Sequence, residues 1–257
     1  MAVGRERHGA VEVLTIDRPE ARNAIDPQTT REFDEAFDEL EADDSVHVVI
    51  LTGAGDKAFC AGVDLKVQAA EGIAGVISEK GGFAGIVKRN FPKPLIAAVN
   101  GHALGGGLEL MLACDIVVAA DHARIGATEV RFGQLADGGS LIRLPNRIPL
   151  ALAAELVLTG EPVSAERAMS MGLVNAVVPA DDLLGKALEL AELVARNSPR
   201  AVVLSKGLLY EAHGVRDDEA WQLNDRYSEQ IYVTEDWVEG PVAFVEKRDP
   251  RWASGAR

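Results

Sequence analysis

Two glutamates and a run of glycines are the residues of this chain best suited to chemistry. In NGHALGGGLEL (100–110), three glycines lead directly into an apolar, helix-like segment. The start of a helix collects free N–H groups and the positive end of the helix dipole. Because Glu109 follows Gly106 by three residues, one helix start can present the Gly106 amide and the Glu109 carboxylate to the same ligand. On this segment alone, glycines that merely let the helix pack close to a strand remain an equal alternative.

The second glutamate, Glu129, lies in ATEVRFGQLADGGS (127–140), ahead of the glycine turn Gly138-Gly139. Taken by itself, Glu129 is typical of a surface or capping carboxylate. Paired carboxylates beside a loop of backbone donors indicate general acid–base chemistry next to a stabilised oxyanion. We therefore treat Glu109 and Glu129 together as the candidate catalytic pair.

A third glycine-containing segment, GAGDKAFCAGVDLK (53–66), opens with the spacing of a dinucleotide-binding fingerprint. That fingerprint requires a helix to begin within the glycines, because the pyrophosphate rests on the helix N-terminus. Here a second glycine turn follows at Gly62, which favours a continuing loop. The segment is better interpreted as a loop that turns a backbone N–H toward a ligand, with a purely structural turn as the alternative.

Composition narrows the class of function. The chain has 257 residues, and 40 acidic against 26 basic side chains give a formal charge of −14. This acidity argues against nucleic acid or an anionic membrane as the main partner. Cys60 and Cys114 have neither disulfide-framework nor metal-ligand spacing, so we expect no metal site. The N-terminal segment lacks a signal-peptide core and no apolar run is long enough to span a membrane, so we expect a cytoplasmic protein.

The elements that must position these residues alternate between strands and helices. Asp26-Pro27 predicts a helix start, and Phe33, Phe37 and Leu40 form its apolar stripe. The pattern predicts a loop or loosely held helix over 69–85 and an almost entirely helical segment beyond Asp181. Such an order favours an α/β core with a helical tail. The predicted strands are 10–16, 46–53, 95–101, 116–121 and 173–179, and the predicted helices between them include 108–115, 149–158 and one capped by Ser164.

Six segments follow one another along the chain: RPEARNAID (18–26), 53–66, 93–116, GATEVRFGQLADGG (126–139), LTGEPVSAERAMSMGLVNAVVP (158–179) and GPVAFVEKRDPRW (240–252). Through these segments the chain resembles the crotonase (enoyl-CoA hydratase/isomerase) superfamily over nearly its whole length, and within it the carnitinyl-CoA dehydratases (crotonobetainyl-CoA hydratases). The resemblance implies an α/β fold with a ββα spiral core over 1–195 and a helical trimerisation region over 196–257. It also implies homotrimers, often stacked as hexamers. GGFAG (81–85), Asp137 and the 239–252 ending point to the subfamily.

The same resemblance implies roles for particular residues. The amides of Val63 and Gly106 would form the oxyanion hole, and Glu109 and Glu129 stand where two-glutamate hydratases carry their catalytic pair, 20 residues apart. An anionic CoA ester bound to an acidic protein needs local cations, which Arg22, Lys66 and Lys247 would supply, Lys247 to a neighbouring subunit's ligand. The implied substrate- and CoA-binding positions are Arg22, Ala24, Ala61, Gly62, Asp64, Leu65, Lys66, Leu104, Gly105, Thr128, Asp137 and Lys247.

The activity implied is that of a lyase, the reversible syn hydration of a 2-enoyl-CoA, with CoA as part of the substrate and no separate cofactor. Double-bond isomerisation and non-catalytic acyl-CoA binding are the alternatives, and retention of both glutamates favours hydration. Two departures from the family pattern stand out. Ala136-Asp137 replaces a common Pro-Gly turn near the reacting water, and His102 replaces a frequent tyrosine. Residues 69–90 are expected to shape the acyl pocket.

Overall fold

Twelve strands and ten α-helices make up the chain in a computed structural model that describes residues 1–253. The strands are β1 (Val3–His8), β2 (Val11–Ile16), β3 (Val48–Gly53), β4 (Ala58–Cys60), β5 (Ile77–Ser78), β6 (Gly82–Phe83), β7 (Leu95–Val99), β8 (His102–Leu104), β9 (Ile116–Ala120), β10 (Arg124–Gly126), β11 (Val163–Ser164) and β12 (Ala176–Val178). The helices are α1 (Pro27–Ala42), α2 (Leu65–Glu71), α3 (Gly106–Ala113), α4 (Ser140–Arg147), α5 (Leu150–Thr159), α6 (Ala165–Met171), α7 (Leu183–Ala195), α8 (Pro199–Glu211), α9 (Asp217–Tyr232) and α10 (Glu235–Glu246).

A repeated ββα turn organises these elements. In each turn, one strand enters a six-stranded sheet of order β1-β2-β3-β7-β9-β12, and the next enters a four-stranded sheet of order β11-β10-β8-β4. The pairs β3/β4, β7/β8 and β9/β10 follow this rule, and a helix follows each pair. This arrangement is the α/β spiral that the resemblance implied, and that prediction is confirmed.

The central strands are apolar because both faces of their sheet are covered. Strands β2, β3, β7, β9 and β12 run parallel, as expected for a sheet with helices on both sides. Alternate residues point to opposite faces. On β3, Val49 and Leu51 join the main core, whereas Val48 and Ile50 pack against α7.

Local signals placed several elements correctly. Asp26 caps α1 by accepting a hydrogen bond from the Thr29 amide at 2.8 Å, with Pro27 in the first turn. The segment after β3 continues as strand β4, without a helix among its glycines, so the reasoning against a dinucleotide fingerprint holds. Ser164 caps α6 as predicted.

Other local predictions were incomplete. Strand β1 and helix α4 were not predicted. Residues 69–85 are more ordered than a loop, since they contain the end of α2, a 3-10 turn at Ala74–Val76 and the β5–β6 hairpin. Beyond Asp181 the chain is helical as expected, and Pro199 begins α8 without interrupting a helix.

The C-terminal helices leave large apolar side chains exposed. Trp221 on α9 is 67% exposed, and Phe244 and Val245 on α10 are 84% and 79% exposed. Trimerisation through 196–257, and the division of domains at 195, stay predictions, and residues 254–257 of that region lie outside the described part. Within residues 1–253, no helix combines the length and hydropathy required to cross a membrane.

Candidate active site

A cleft of about 730 Å³ opens between the start of α3, the loop after β4 and the turn before α4. It contains both candidate catalytic glutamates and most of the positions that sequence analysis assigned to substrate binding. The predicted residues that line it are Ala61, Gly62, Val63, Leu65, Leu104, Gly105, Gly106, Glu109, Thr128, Glu129 and Asp137.

The two predicted oxyanion-hole amides lie on segments that touch. A side chain on Gly62 would collide with the Gly106 amide nitrogen, so the backbones approach closely there, and Gly62 has a φ of 91°. Ile25 bonds to both neighbours of Val63: its N–H donates to Gly62 O at 2.8 Å, and its carbonyl accepts from the Asp64 amide at 2.9 Å. The Val63 N–H therefore faces away from Ile25 and finds no backbone acceptor within residues 1–253.

Glu109 lies in the first turn of α3 and is 5% exposed. The Ser140 amide, at the start of α4, donates to its Oε1 at 3.2 Å. Gly138 packs against the same carboxylate, leaving no space for a side chain. The start of helix α4, which sequence analysis missed, and the turn before it therefore hold the Glu109 carboxylate in place.

Glu129 begins a 3-10 turn, Glu129–Phe132, directly after Thr128. Both of its carboxylate oxygens are buried, and neither has a hydrogen-bond partner in the described chain. The backbone of Gly105, with φ 57° and ψ −125°, passes next to Thr128 and Glu129. A buried carboxylate without a partner is costly, which is the usual mark of a group that awaits substrate or water.

The electrostatics of the cleft favour protonation of the pair. Burial raises the pKa of Glu109 to about 7, and the charges of Glu129 and Asp137 add to this effect. Burial also raises the pKa of Glu129, again with a contribution from Asp137. Two carboxylates with raised pKa values can hold one proton between them near neutral pH, so one can serve as acid while the other serves as base.

Five predicted binding residues lie outside this cleft. Ala24 is buried in the loop before α1, and the Asp64 carboxylate is bound by Arg18 and the Lys66 amide. Lys66 is exposed on α2, and Lys247 is exposed at the C-terminal cap of α10. Arg22 lines a separate groove of about 300 Å³ together with Lys57. The structure therefore does not bring the three proposed CoA cations into the cleft that holds the glutamates.

Part of the cleft wall comes from residues 69–90, the segment expected to shape the acyl pocket. Ile73, Ile77, Phe83 and Val87 supply apolar surface, and Lys88 supplies a cation. Phe83 packs over the Gly106 backbone so closely that a side chain at Gly106 would strike its ring. Sequence analysis did not identify Phe83 individually, although the glycine pair before it marked a turn. Gln68 and Gln134 also line the cleft and were missed.

No group of three or more His, Cys, Asp or Glu side chains within residues 1–253 is arranged to hold a metal ion. Cys60 and Cys114 are free thiols, and both are buried.

Comparison with known proteins places this geometry in context. The family model for enoyl-CoA hydratase/isomerase matches residues 6–255. The chain is 41% identical over 249 residues to a carnitinyl-CoA dehydratase of Proteus mirabilis, with 95% of each chain covered. A solved enoyl-CoA hydratase from Mycobacterium tuberculosis superimposes with a TM-score of 0.94 at 42% identity, covering 98% of both chains. A carnitinyl-CoA hydratase structure from Mycobacterium avium gives a TM-score of 0.79 at 43% identity and 98% coverage of both chains.

Proposed function

Because the chain belongs to the enoyl-CoA hydratase/isomerase family, we propose that it catalyses the reversible syn addition of water to a 2-enoyl-CoA thioester. The observation that carries the proposal is that one cleft is lined by Val63, by Gly106 and by two glutamates whose carboxylates are buried. Hydration needs a base for water, an acid for Cα and donors for the thioester oxygen. The two glutamates would supply the base and the acid, and the two amides would supply the donors for the thioester oxygen.

The amides of Val63 and Gly106 would receive the thioester oxygen. When the oxygen of water attacks Cβ, the π electrons of the enoyl group move toward the thioester carbonyl, which becomes enolate-like. Donors aimed at this developing charge stabilise the transition state more than the ground state. Loss of one such donor typically costs about 2.7–4 kcal/mol in the barrier.

Glu109 and Glu129 would hold the reacting water between them. One carboxylate takes a proton from water as the new C–O bond forms, and the other gives its proton to Cα as the enolate collapses. One water molecule is consumed, and the pair is left with the same number of protons. Because both glutamates line the same cleft, we expect both additions on one face of the double bond.

The acyl group that best fits the relatives is a cationic one. A carnitinyl group carries a trimethylammonium next to the carbons that react, and such a cation is favoured by nearby carboxylate or aromatic groups. Asp137 lines the cleft, is exposed, and its charge influences both glutamates. Asp137 is therefore the residue we expect to favour a cationic acyl group, while Lys88, which lines the same cleft, would oppose it.

We propose that the chain assembles as a homotrimer or a hexamer through its C-terminal helices. Exposed Trp221, Phe244 and Val245 on α9 and α10 are the apolar side chains that an interface would cover. Cytoplasmic location and the absence of a cofactor beyond the CoA of the substrate remain expectations. Two buried free thiols suit a reducing compartment.

A substrate panel tests the proposed reaction. Crotonyl-CoA, longer 2-enoyl-CoAs and crotonobetainyl-CoA would be supplied to purified protein, and loss of enoyl-thioester absorbance would be followed with product identification. Hydration of at least one panel member is the expected result. Conversion of 3-enoyl-CoA to 2-enoyl-CoA without hydration would instead favour isomerisation, and CoA-ester binding without turnover would favour the non-catalytic alternative.

A further inference from the structure

Arg18 occupies a largely buried position behind the oxyanion hole, outside the substrate cleft. Its Nη2 lies 3.2 Å from Asp26 Oδ2 and 3.1 Å from Asp64 Oδ2. Its Nη1 donates a hydrogen bond to the carbonyl of Ala24. The three charged side chains are only 17%, 17% and 14% exposed, so this is a shielded cluster with one cation between two carboxylates.

Each of the two aspartates also caps a helix. Asp26 Oδ1 accepts from the Thr29 amide at 2.8 Å at the start of α1. Asp64 Oδ1 accepts from the Lys66 amide at 3.1 Å at the start of α2. One guanidinium therefore joins the N-terminal caps of two helices that are distant in sequence.

The Ile25–Val63 bridge lies between these caps, because Ile25 precedes Asp26 and Val63 precedes Asp64. The same bridge leaves the Val63 N–H unbonded to Ile25, and Val63 lines the cleft. We propose that Arg18 is a positioning residue for the oxyanion hole: by tying Asp26 to Asp64, it fixes the Val63 amide where the thioester oxygen must bind. This inference rests on the proposed hydration of enoyl-CoA.

Geometry explains why arginine is needed. A planar guanidinium offers several donors in a fixed arrangement, whereas a lysine ammonium is a compact point charge that cannot hold the two carboxylates and a carbonyl in the same way. A misplacement of about 1 Å at a catalytic group can cost on the order of 10²-fold in rate. The side chain of Arg18 can therefore influence kcat without touching substrate.

The path of the backbone at Arg18 is secured independently of its side chain. The Arg18 amide donates to Asn23 Oδ1 at 3.0 Å, and Asn23 Nδ2 donates to Ala58 O at 2.7 Å. Replacement of the guanidinium should therefore leave the chain in place while loosening the tie between the two caps.

The experiment compares R18K with R5K. Arg5 is a suitable control because it also bridges two carboxylates, Glu12 at 2.8 Å and Glu39, at the edge of the six-stranded sheet and away from the cleft. The readouts are kcat, KM and the red shift of a bound conjugated dienoyl-CoA, which reports polarisation of the thioester carbonyl. For R18K we expect kcat to fall on the order of 10- to 10²-fold, with KM little changed and a smaller red shift. R5K should match the wild type in all three.

A second variant protects the test against misfolding. D64N keeps an oxygen for the α2 cap but removes the charge that Arg18 binds, and it should reproduce the smaller red shift. An R18K protein that folds and retains the wild-type kcat and red shift would overturn the inference, as would D64N with a wild-type red shift if R18K does not fold. A wild-type protein that hydrates no enoyl-CoA would refute the proposed function. An active wild type with an unaffected R18K variant would refute only the role of Arg18.

Discussion

The backbone of Gly138 packs directly against the carboxylate of Glu109, with no room for even a methyl group between them. Gly138 does not have a positive φ, so space alone excludes a side chain. The amide of Ser140, two residues after Gly138, donates to the same carboxylate at 3.2 Å. The turn before α4 therefore confines Glu109 sterically and binds it at the same time.

This contact predicts a large effect from G138A. The added methyl would displace the Glu109 carboxylate, and we expect kcat to fall on the order of 10²-fold because a catalytic group is misplaced. G185A is the matched control, since Gly185 in α7 has open space around its Cα. That change should leave kcat unaltered and add about 0.5–1 kcal/mol of stability. Steady-state kinetics with thermal unfolding checks both, and equal kcat for the two variants would argue against the steric role.

Removal of either carboxylate should abolish most of the hydration activity. E109Q and E129Q preserve size and hydrogen-bonding shape but cannot exchange protons, and acid–base assistance is typically worth about 10²–10⁴ in rate. Initial rates on the best panel substrate provide the measurement. E155Q, on an exposed position of α5, is the control and should behave as the wild type. Near-wild-type rates in either active-site variant would refute the two-glutamate mechanism.

The charge of Asp137 should be visible in the pH profile. The singly protonated pair is the active form, so kcat/KM should fall as pH rises above the higher apparent pKa of the pair, close to the value of about 7 for Glu109. Asp137 raises the pKa of both glutamates. D137N should therefore move this alkaline limb to lower pH. The same variant should lose more activity on crotonobetainyl-CoA than on crotonyl-CoA, and an unmoved limb would contradict the electrostatic role.

Glu109 should also make stability depend on pH. Its folded pKa of about 7 exceeds its usual value of 4.5, so folding favours the protonated form. The stabilising contribution is complete below about pH 4.5 and is lost as pH rises through about 7, on the order of 3 kcal/mol in total. E109Q mimics the protonated form, so its Tm should match the wild type near pH 4.5 and exceed it at pH 8. A Tm difference independent of pH would disprove this coupling.

Much of the fold was predictable because its signals are local. Asp26-Pro27 marked the start of α1, and the apolar runs marked the strands that are covered on both faces. Strand β1 was not predicted because VGRERH carries three consecutive charges, Arg5 to Arg7, at the edge of the six-stranded sheet, where no apolar run is needed. Helix α4 was not predicted because Pro145 lies inside this eight-residue helix, where a proline normally indicates a break.

The candidate site was predictable in its parts and not in its arrangement. Sequence by itself determined which groups are available, namely a glycine-rich helix start, Glu109, Glu129 and the 61–65 loop, because spacing and resemblance are properties of the chain alone. Only the tertiary structure decided that Val63 pairs with Ile25 and lines the cleft, that the turn before α4 holds Glu109 and that Phe83 covers Gly106. It also separated Arg22, Lys66 and Lys247 from that cleft. The physical reason is that burial, pKa and the direction of an N–H depend on which distant segments pack together, and no local pattern encodes that.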